Sequence, residues 1–110
     1  MKAYKAAREA ADGNRLINAA LQTATSIPLS VGARAAAILR MVEGLKPITN
    51  PNMASDLITA DALARAALTG ALANVDINLG SMKPETAEEQ DFYARTQELA
   101  SALKTQAEQT

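Results

Sequence analysis

The chain has 110 residues, which suits one domain with a modest core; much of its 48% hydrophobic content is alanine, and only 3% of its residues are aromatic. Eleven basic and twelve acidic residues leave a net charge of −1, which argues against non-specific electrostatic binding of nucleic acid. Cysteine and histidine are both absent, which excludes a disulfide framework, a thiolate metal site, a thiol nucleophile and the commonest acid/base at neutral pH.

The N-terminal segment carries too many charges for the apolar core of a signal peptide. The sequence also lacks a run of about 18 apolar residues that would predict a transmembrane helix, so a cytoplasmic location is expected. Because an alanine-rich helical chain of this size buries little surface per residue, oligomerisation would help to stabilise it.

The first predicted helix spans roughly residues 2–24, as one helix or as two pieces, because Asp12-Gly13-Asn14 is a turn or kink signal. Tyr4 belongs to the first piece and is expected to pack as a partly buried aromatic rather than to contact a ligand. The second piece has a clear apolar face, made by Leu16, Ile17, Ala20, Leu21 and Ala24.

Pro28 interrupts this pattern, since proline removes a backbone donor and clashes with the preceding turn; the chain either kinks here or begins a new helix. Thr25 and Ser26 suit the capping positions of such a start. A narrow buried seam is predicted to follow at Val31, Ala35, Ile38, Val42 and Leu45. Gly44 and Pro47 predict the end of this helix.

The central stretch, Asn50 to Leu79, begins with a helix entrance, because asparagine caps free backbone N–H groups and Pro51 suits a first helical position. Ser55 and Asp56 offer a second start one turn later, and both starts remain open. Alanine and leucine then predict a long helix, and Gly80 suits its C-terminal stop.

Two faces can be drawn on this central helix. The first is an apolar stripe made by Leu57, Ala64, Leu68, Ala71, Val75 and Leu79. The second combines polar ends with small residues, at Asp56, Ala60, Leu63, Ala67, Gly70, Asn74 and Asn78. Asp56 and Asn74 lie about 27 Å apart along a straight helix, so they do not share one small site. Gly70 costs about 1 kcal/mol relative to alanine in a helix interior, which close packing of a neighbour would explain.

Pro84 is predicted to open a last helix, in which Phe92, Leu99 and Leu103 form one thin apolar stripe. Its early acidic residues are expected to be solvated at the positive end of the helix dipole rather than to act in catalysis, because no apolar surroundings would raise their pKa values. These residues are Glu85, Glu88, Glu89 and Asp91. The polar C-terminal end is expected to fray.

The sequence therefore predicts a single all-α domain over residues 1–110, a bundle of about four or five helices around a long central helix. This central helix is expected to be the most buried, because it has two faces that can pack. Its small residues predict self-association.

The ordered combination NPNMASDL and ARAALTGALANVDINL, within residues 50–79, resembles the cyclodeaminase/cyclohydrolase family of folate enzymes. That family includes formimidoyltetrahydrofolate cyclodeaminase and methenyltetrahydrofolate cyclohydrolase. The preceding ATSIPLSVGARAAAILRM is also similar to the segment that comes before this motif in the family. The resemblance covers roughly residues 3–82.

The resemblance implies an all-helical, dimeric protein that closes or opens the one-carbon bridge between N5 and N10 of tetrahydrofolate. In the cyclodeaminase, N10 attacks the formimino carbon and ammonia leaves; in the cyclohydrolase, water attacks the methenyl carbon. The substrate would be a tetrahydrofolate derivative, and no metal is implied. The polar residues expected to contact the folate are Asn50, Asn52, Ser55, Asp56, Asn74 and Asn78, although capping and interhelical hydrogen bonds also explain such side chains.

Family members also carry a glycine-rich segment of the type PGGGS and acidic residues in an N-terminal half, and this sequence lacks that segment. The catalytic residues are therefore unassigned. We expect the C-terminal part of a family domain, truncated and inactive unless completed. The alternative is a non-catalytic helical assembly module that keeps the family scaffold. The expected partners are a small-molecule folate and either further copies of the chain, as a dimer or a higher homo-oligomer, or a polypeptide that carries the N-terminal half. Neither nucleic acid nor a membrane is expected as a partner.

Overall fold

The computed structural model describes residues 2–110, without the side chains of Lys2, Tyr4 and Ala7. Over this range the chain forms α1 (Lys2–Leu45), a short 3-10 helix (Pro51–Met53), α2 (Ala54–Ser81) and α3 (Ala87–Gln109). The all-α prediction is confirmed, whereas the expected four or five helices are three α-helices and one 3-10 turn. The expected packing of Tyr4 falls on a side chain outside the described residues.

The helix count differs because α1 is continuous through Asp12-Gly13-Asn14 and through Pro28. Gly13 keeps a helical backbone rather than a left-handed one. The sequence suggested that Thr25 and Ser26 cap a helix start, and this is wrong. Their hydroxyls donate to the carbonyls of Leu21 at 2.6 Å and Thr23 at 2.7 Å, inside the helix just before the proline. Such back-bonding lets a helix bend without ending.

The three helices lie side by side, with α2 antiparallel to α1 and α3 parallel to α1. The link between α2 and α3 is held at Asn18 of α1, whose amide donates to the Lys83 carbonyl at 2.9 Å and accepts from the Lys83 N–H at 3.1 Å. Near the other end of the bundle, Gln106 donates to the Ala36 carbonyl at 2.9 Å. These contacts fix the two ends of α3 along α1.

The core consists of two neighbouring clusters along the α1–α2 seam, which α3 covers. The first contains Ala35, Ala36, Leu39, Ala64, Leu68 and Leu103, and the second contains Val75, Leu79, Met82 and Ala100. The predicted apolar stripe of α2 is confirmed, since all its members are buried except the half-buried Leu57. Leucines of α2 and α3 pack over Gly32 of α1 at 3.6–3.7 Å from where a Cβ would lie.

The predicted seam of α1 is wrong in part. Ala35 and Val42 are buried, but Val31, Ile38 and Leu45 are between 43% and 45% exposed. The predicted apolar face over residues 16–24 is wrong as well, because only Leu21 of that set is half-buried. Polar Asn18 and Thr25 take the inner positions instead, at 0% exposure. Their burial is tolerated because each makes its hydrogen bonds to backbone groups.

The last helix begins three residues after Pro84, at a capping box that the sequence analysis missed. Thr86 accepts from the Glu89 N–H at 3.1 Å, and the Glu89 carboxylate accepts from the Thr86 and Glu85 N–H groups, each at 3.0 Å. The expected solvation of the acidic residues therefore fails at Glu89, which is buried. The predicted stripe fails at Leu99, which is 43% exposed while Thr96 is buried.

The ends of α2 and α3 also differ from expectation. Gly80 lies inside the last turn of α2, and the helix stops at an extended Met82. The C-terminal end of α3, expected to fray, is helical to Gln109. Arg65 of α2 holds this end by donating to the Ala107 carbonyl at 2.8 Å and to the Thr110 hydroxyl at 3.1 Å.

The molecule is a rod of 74 × 18 × 15 Å with a radius of gyration of 19.3 Å. A compact domain of this length has a radius of gyration of about 13 Å. The accessible surface is 7465 Å², whereas a compact monomer of this mass exposes about 5,800 Å². One chain thus leaves far more surface in water than a globular fold does. Among residues 2–110, no helix is long and apolar enough to span a bilayer.

Replacing Leu39 by alanine is expected to lower the free energy of unfolding by about 2–5 kcal/mol, because a cavity opens where α1 meets α2. Leu39 is 1% exposed, whereas Leu16 of the same helix is 73% exposed and provides the matched control. Urea unfolding followed by circular dichroism measures both variants, and Leu16→Ala should change stability by less than about 0.5 kcal/mol. Equal losses in the two variants would contradict the assigned core.

The capping box predicts a stability that depends on pH. Hydrogen bonds from the Thr86 and Glu85 N–H groups hold the pKa of Glu89 below its ordinary value of 4.5. The stabilisation is therefore fully present above that value and is lost as the pH falls through the lower pKa of the folded state. In thermal unfolding, the Tm difference between wild type and Glu89→Gln should shrink on acidification. The exposed Glu88→Gln is the control, and a pH-independent Glu89→Gln difference would refute this role.

Candidate functional site

A cleft forms where the end of α1 meets the start of α2, and we call it the corner cleft. Its volume is about 560 Å³, and its lining consists of Lys46, Thr49, Asn50, Pro51, Ala54, Leu57, Ile58, Asp61 and Ala62. Pockets of about 300–1,000 Å³ suit small organic ligands when apolar walls carry a few convergent polar groups. The corner cleft has this composition.

The turn that shapes the cleft follows from the local sequence. The α1 helix ends at Leu45, as Gly44 and Pro47 predict, and Thr49 donates its hydroxyl proton to the Leu45 carbonyl. Asn50 then caps the 3-10 helix, its side-chain oxygen accepting from the Asn52 N–H at 2.9 Å. Pro51 occupies the first position of that helix, as expected. The Asn50 amide is therefore both a cap and part of the cleft wall.

One wall of the cleft carries an ion pair that the sequence analysis did not single out. Asp61 accepts from the Nε of Arg65 at 2.7 Å, one helical turn along α2. The hydrogen bond from Arg65, its charge and the charge of Lys46 hold the pKa of Asp61 below its ordinary value, although partial burial opposes them. Asp61 is therefore an ionised acceptor at neutral pH, fixed by a guanidinium that also anchors α3.

The cleft lining carries charges of both signs together with apolar side chains. Lys46 supplies a cation, paired with Glu43 at 3.0 Å on the surface, and Asp61 supplies the anion. Leu57 and Ile58 belong to the same lining, and Ile58 is 70% exposed although it is a large apolar side chain. Such a lining can accept hydrogen bonds through the carboxylate, attract an anionic group through the ammonium group, and contact a flat apolar surface.

A second groove lies between α1 and α2, and we call it the hairpin groove. Its volume is about 480 Å³, and its lining comes from Ala24, Ile27, Pro28, Val31, Ala66, Ala67, Gly70, Ala71, Asn74 and Asn78. The groove is mostly apolar, with two amides at one end. Asn74 is exposed and Asn78 is half-buried.

The family model for formiminotransferase-cyclodeaminase matches residues 1–98 of the chain. The chain belongs to this family. The matched range contains the corner cleft and the hairpin groove, and it extends past the residues on which the resemblance rested. Family membership connects the chain with folate-related one-carbon metabolism. No curated protein and no solved structure matches the chain significantly.

The structure separates the residues that the sequence analysis had grouped as folate contacts. Asn50 lines the corner cleft, whereas Asn74 and Asn78 line the hairpin groove. Three further candidates, Asn52, Ser55 and Asp56, are exposed near the start of α2 and belong to neither lining. Their contacts with folate stay predictions.

The polar cleft residues that were not identified from the sequence are Lys46, Thr49 and Asp61. A signal existed for Asp61, because it precedes Arg65 by four residues, the spacing of a helical ion pair. It also lies between Leu57 and Ala64 at helical spacing, as a polar residue within the apolar stripe of α2. No comparable signal marked Lys46, which the turn after α1 brings to the cleft. Among residues 2–110, no cluster of three acidic side chains is placed to hold a metal ion.

Proposed function

We propose that the corner cleft binds a tetrahydrofolate derivative, as the folate-holding part of a cyclodeaminase- or cyclohydrolase-type domain in the cytoplasm. The observation that supports this most is a cleft that combines a carboxylate, an ammonium group and apolar side chains, inside the range matched by the family model. A folate has a flat pterin ring with N–H donors at one edge and a tail that ends in carboxylates. These features complement the carboxylate, the apolar side chains and the ammonium group of the cleft.

Each part of the ligand has a chemical counterpart in the cleft. Asp61 is ionised and accepts the N–H groups of the pterin edge, which a charged acceptor binds more strongly than a neutral one does. Leu57 and Ile58 cover one face of the ring. Lys46 attracts a tail carboxylate, and Thr49 and Asn50 provide further polar groups in the cleft wall.

The described cleft supplies binding groups, and its one carboxyl group, Asp61, is poorly suited to proton transfer near neutral pH. Both family reactions move protons: the cyclodeaminase step forms the N10–carbon bond and releases ammonia, and the cyclohydrolase step adds water to the methenyl carbon. A general acid works best when its pKa lies near the working pH. The pKa of Asp61 is shifted in the opposite direction, and the sequence contains no histidine. We therefore propose that the chain alone binds folate and does not turn it over.

The alternative function, a non-catalytic assembly module, is favoured by one observation. Large apolar side chains remain exposed along α1 and α2, including Ile27 at 69% and Leu63 at 67%. Self-association through such surfaces is compatible with either function. Folate binding at the corner cleft distinguishes them.

Calorimetric titration with 5-formyltetrahydrofolate, a stable reduced folate, is expected to show saturable binding of one molecule per chain. Ile58→Ser should weaken it about ten-fold through the lost apolar contact, and Lys46→Ala about five-fold. The controls are Ile77→Ser, on the same helix at 66% exposure against 70% for Ile58, and Lys104→Ala on α3. Absence of binding at millimolar ligand, or equal losses in targets and controls, would reject the cleft as the folate site.

The purified chain is expected not to accelerate hydrolysis of methenyltetrahydrofolate, because Asp61 is paired with Arg65 and its lowered pKa makes it a weak base toward the attacking water. The decay of the methenyl absorbance, with and without protein, measures this. Protein-dependent decay above the spontaneous rate that Asp61→Asn abolishes would show instead that this carboxylate acts in proton transfer.

A further inference from the structure

The last turn of α3 is joined to the corner cleft through one side chain, Arg65. This residue lies on α2 outside the cleft lining, and its guanidinium contacts Asp61 of the cleft as well as the end of α3. We propose that Arg65, anchored by residues 107–110, is a positioning residue of the corner cleft, which holds the Asp61 carboxylate ready for the ligand and couples ligand binding to the docking of α3. The proposal rests on the proposed function, since the ligand is a reduced folate.

The first support is the geometry of the guanidinium. Its Nε donates to one carboxylate oxygen of Asp61 at 2.7 Å, and its Nη2 approaches the other oxygen at 3.4 Å. Its Nη1 donates to the Ala107 carbonyl at 2.8 Å, and Nη2 also donates to the Thr110 hydroxyl at 3.1 Å. Because a guanidinium is a rigid plane, the two contacts with α3 fix the orientation in which it meets Asp61.

The second support is that this ion pair is held more firmly than the others. The side chains of Arg65 and Asp61 are 36% and 25% exposed, whereas those of the other three ion pairs among residues 2–110 are 49–70% exposed. The Thr110 hydroxyl closes the arrangement by donating to the Ala107 carbonyl at 3.0 Å. Exposed pairs contribute little because their side chains are mobile, and the contacts with α3 restrict that mobility here.

The third support is the position of the opposite charge. Lys46 lines the same cleft, and its charge helps to lower the pKa of Asp61. Each group nevertheless pairs with a neighbour along the chain, Lys46 with Glu43 at 3.0 Å and Asp61 with Arg65. Without Arg65, attraction would draw Asp61 toward Lys46, and the two charges would neutralise each other. Arg65 therefore keeps both charges available to a ligand.

The coupling between the two places is reciprocal. If the docked end of α3 strengthens ligand binding by some factor, the bound ligand stabilises that docking by the same factor. Residues 107–110 lie beyond the range 1–98 that the family model matches. The contacts of this chain thus give a role in the cleft to a segment outside the matched range.

A matched pair of variants at the exposed Glu108 tests the proposal. Glu108→Pro disfavours the helical conformation of Ala107 and so turns its carbonyl away from Arg65, whereas Glu108→Ala removes the same charge and keeps the helical backbone. In calorimetric titration, Glu108→Pro should bind 5-formyltetrahydrofolate about five-fold more weakly than Glu108→Ala does. Glu108→Ala should bind it as wild type does.

A second readout does not respond to a merely structural role of the α3 end. Because Arg65 lowers the pKa of Asp61, loosening its anchor should raise that pKa toward the ordinary value of 3.8, which NMR of the carboxyl carbon measures without ligand. The other charged groups around the pair are Lys46, Glu43, Lys104 and Glu108. The first three are the same in both variants and the last is absent from both, so the comparison isolates the anchor.

Circular dichroism reports whether each variant is folded. If Glu108→Pro unfolds α3, Thr110→Val removes only the hydroxyl, Thr110→Ser restores it as the control, and the same differences are expected. An Asp61 pKa that is equal in the broken and control variants would overturn the proposal, and so would a raised pKa with undiminished binding. If wild type bound no folate, the proposed function would fail, and a raised Asp61 pKa would still support the anchoring of Asp61 by α3.

Discussion

The antiparallel contact between α1 and α2 holds the molecule together, because it is the most extensive contact between helices and α3 packs along the seam that it forms. Ala36 and Leu39 of α1 meet Ala64 and Leu68 of α2 in the larger core cluster. Small side chains let the two helix axes approach closely, so that weak dispersion contacts accumulate along the seam. Polar groups then fix the ends: Asn18 holds the link to α3, and Arg65 holds its C-terminus.

The sequence predicted this fold well for α2 and poorly for α1, for a physical reason. On α2 the predicted stripe from Leu57 to Leu79 is the face that packs, although Leu63 and Ile77 of the same helix stay exposed. On α1 apolar residues occupy two faces, and the periodicity alone does not say which one points inward. Asn18 and Thr25 can face the core because backbone groups satisfy them, at the distant Lys83 for Asn18 and at Leu21 one turn earlier for Thr25. Sequence patterns show polarity, whereas burial depends on the partners that the tertiary structure supplies.

The candidate site was predictable only in part, because it combines elements from two helices. Asn50 was identified, and its role as a cap is confirmed by its hydrogen bond to the Asn52 N–H. Asp61 gains its importance from the approach of Lys46 across the turn, which spacing along the chain does not reveal. Asn74 and Asn78 have the same residue type as Asn50, yet they lie in another groove. Residue type indicates what a side chain can bind, and only the fold decides which side chains act together.

The exposed positions of α1 show where periodicity stops predicting burial. Val31, Ile38 and Leu45 were expected in the core, and the described chain leaves all three substantially exposed. Ala35 and Val42 of the same predicted seam are buried, so the spacing identified a helix without identifying which side of it points inward. On α2, by contrast, the two core clusters, the corner cleft and the hairpin groove use different residues of one helix. A single long helix can therefore support the core and line two separate surface depressions, which a sequence pattern alone does not resolve.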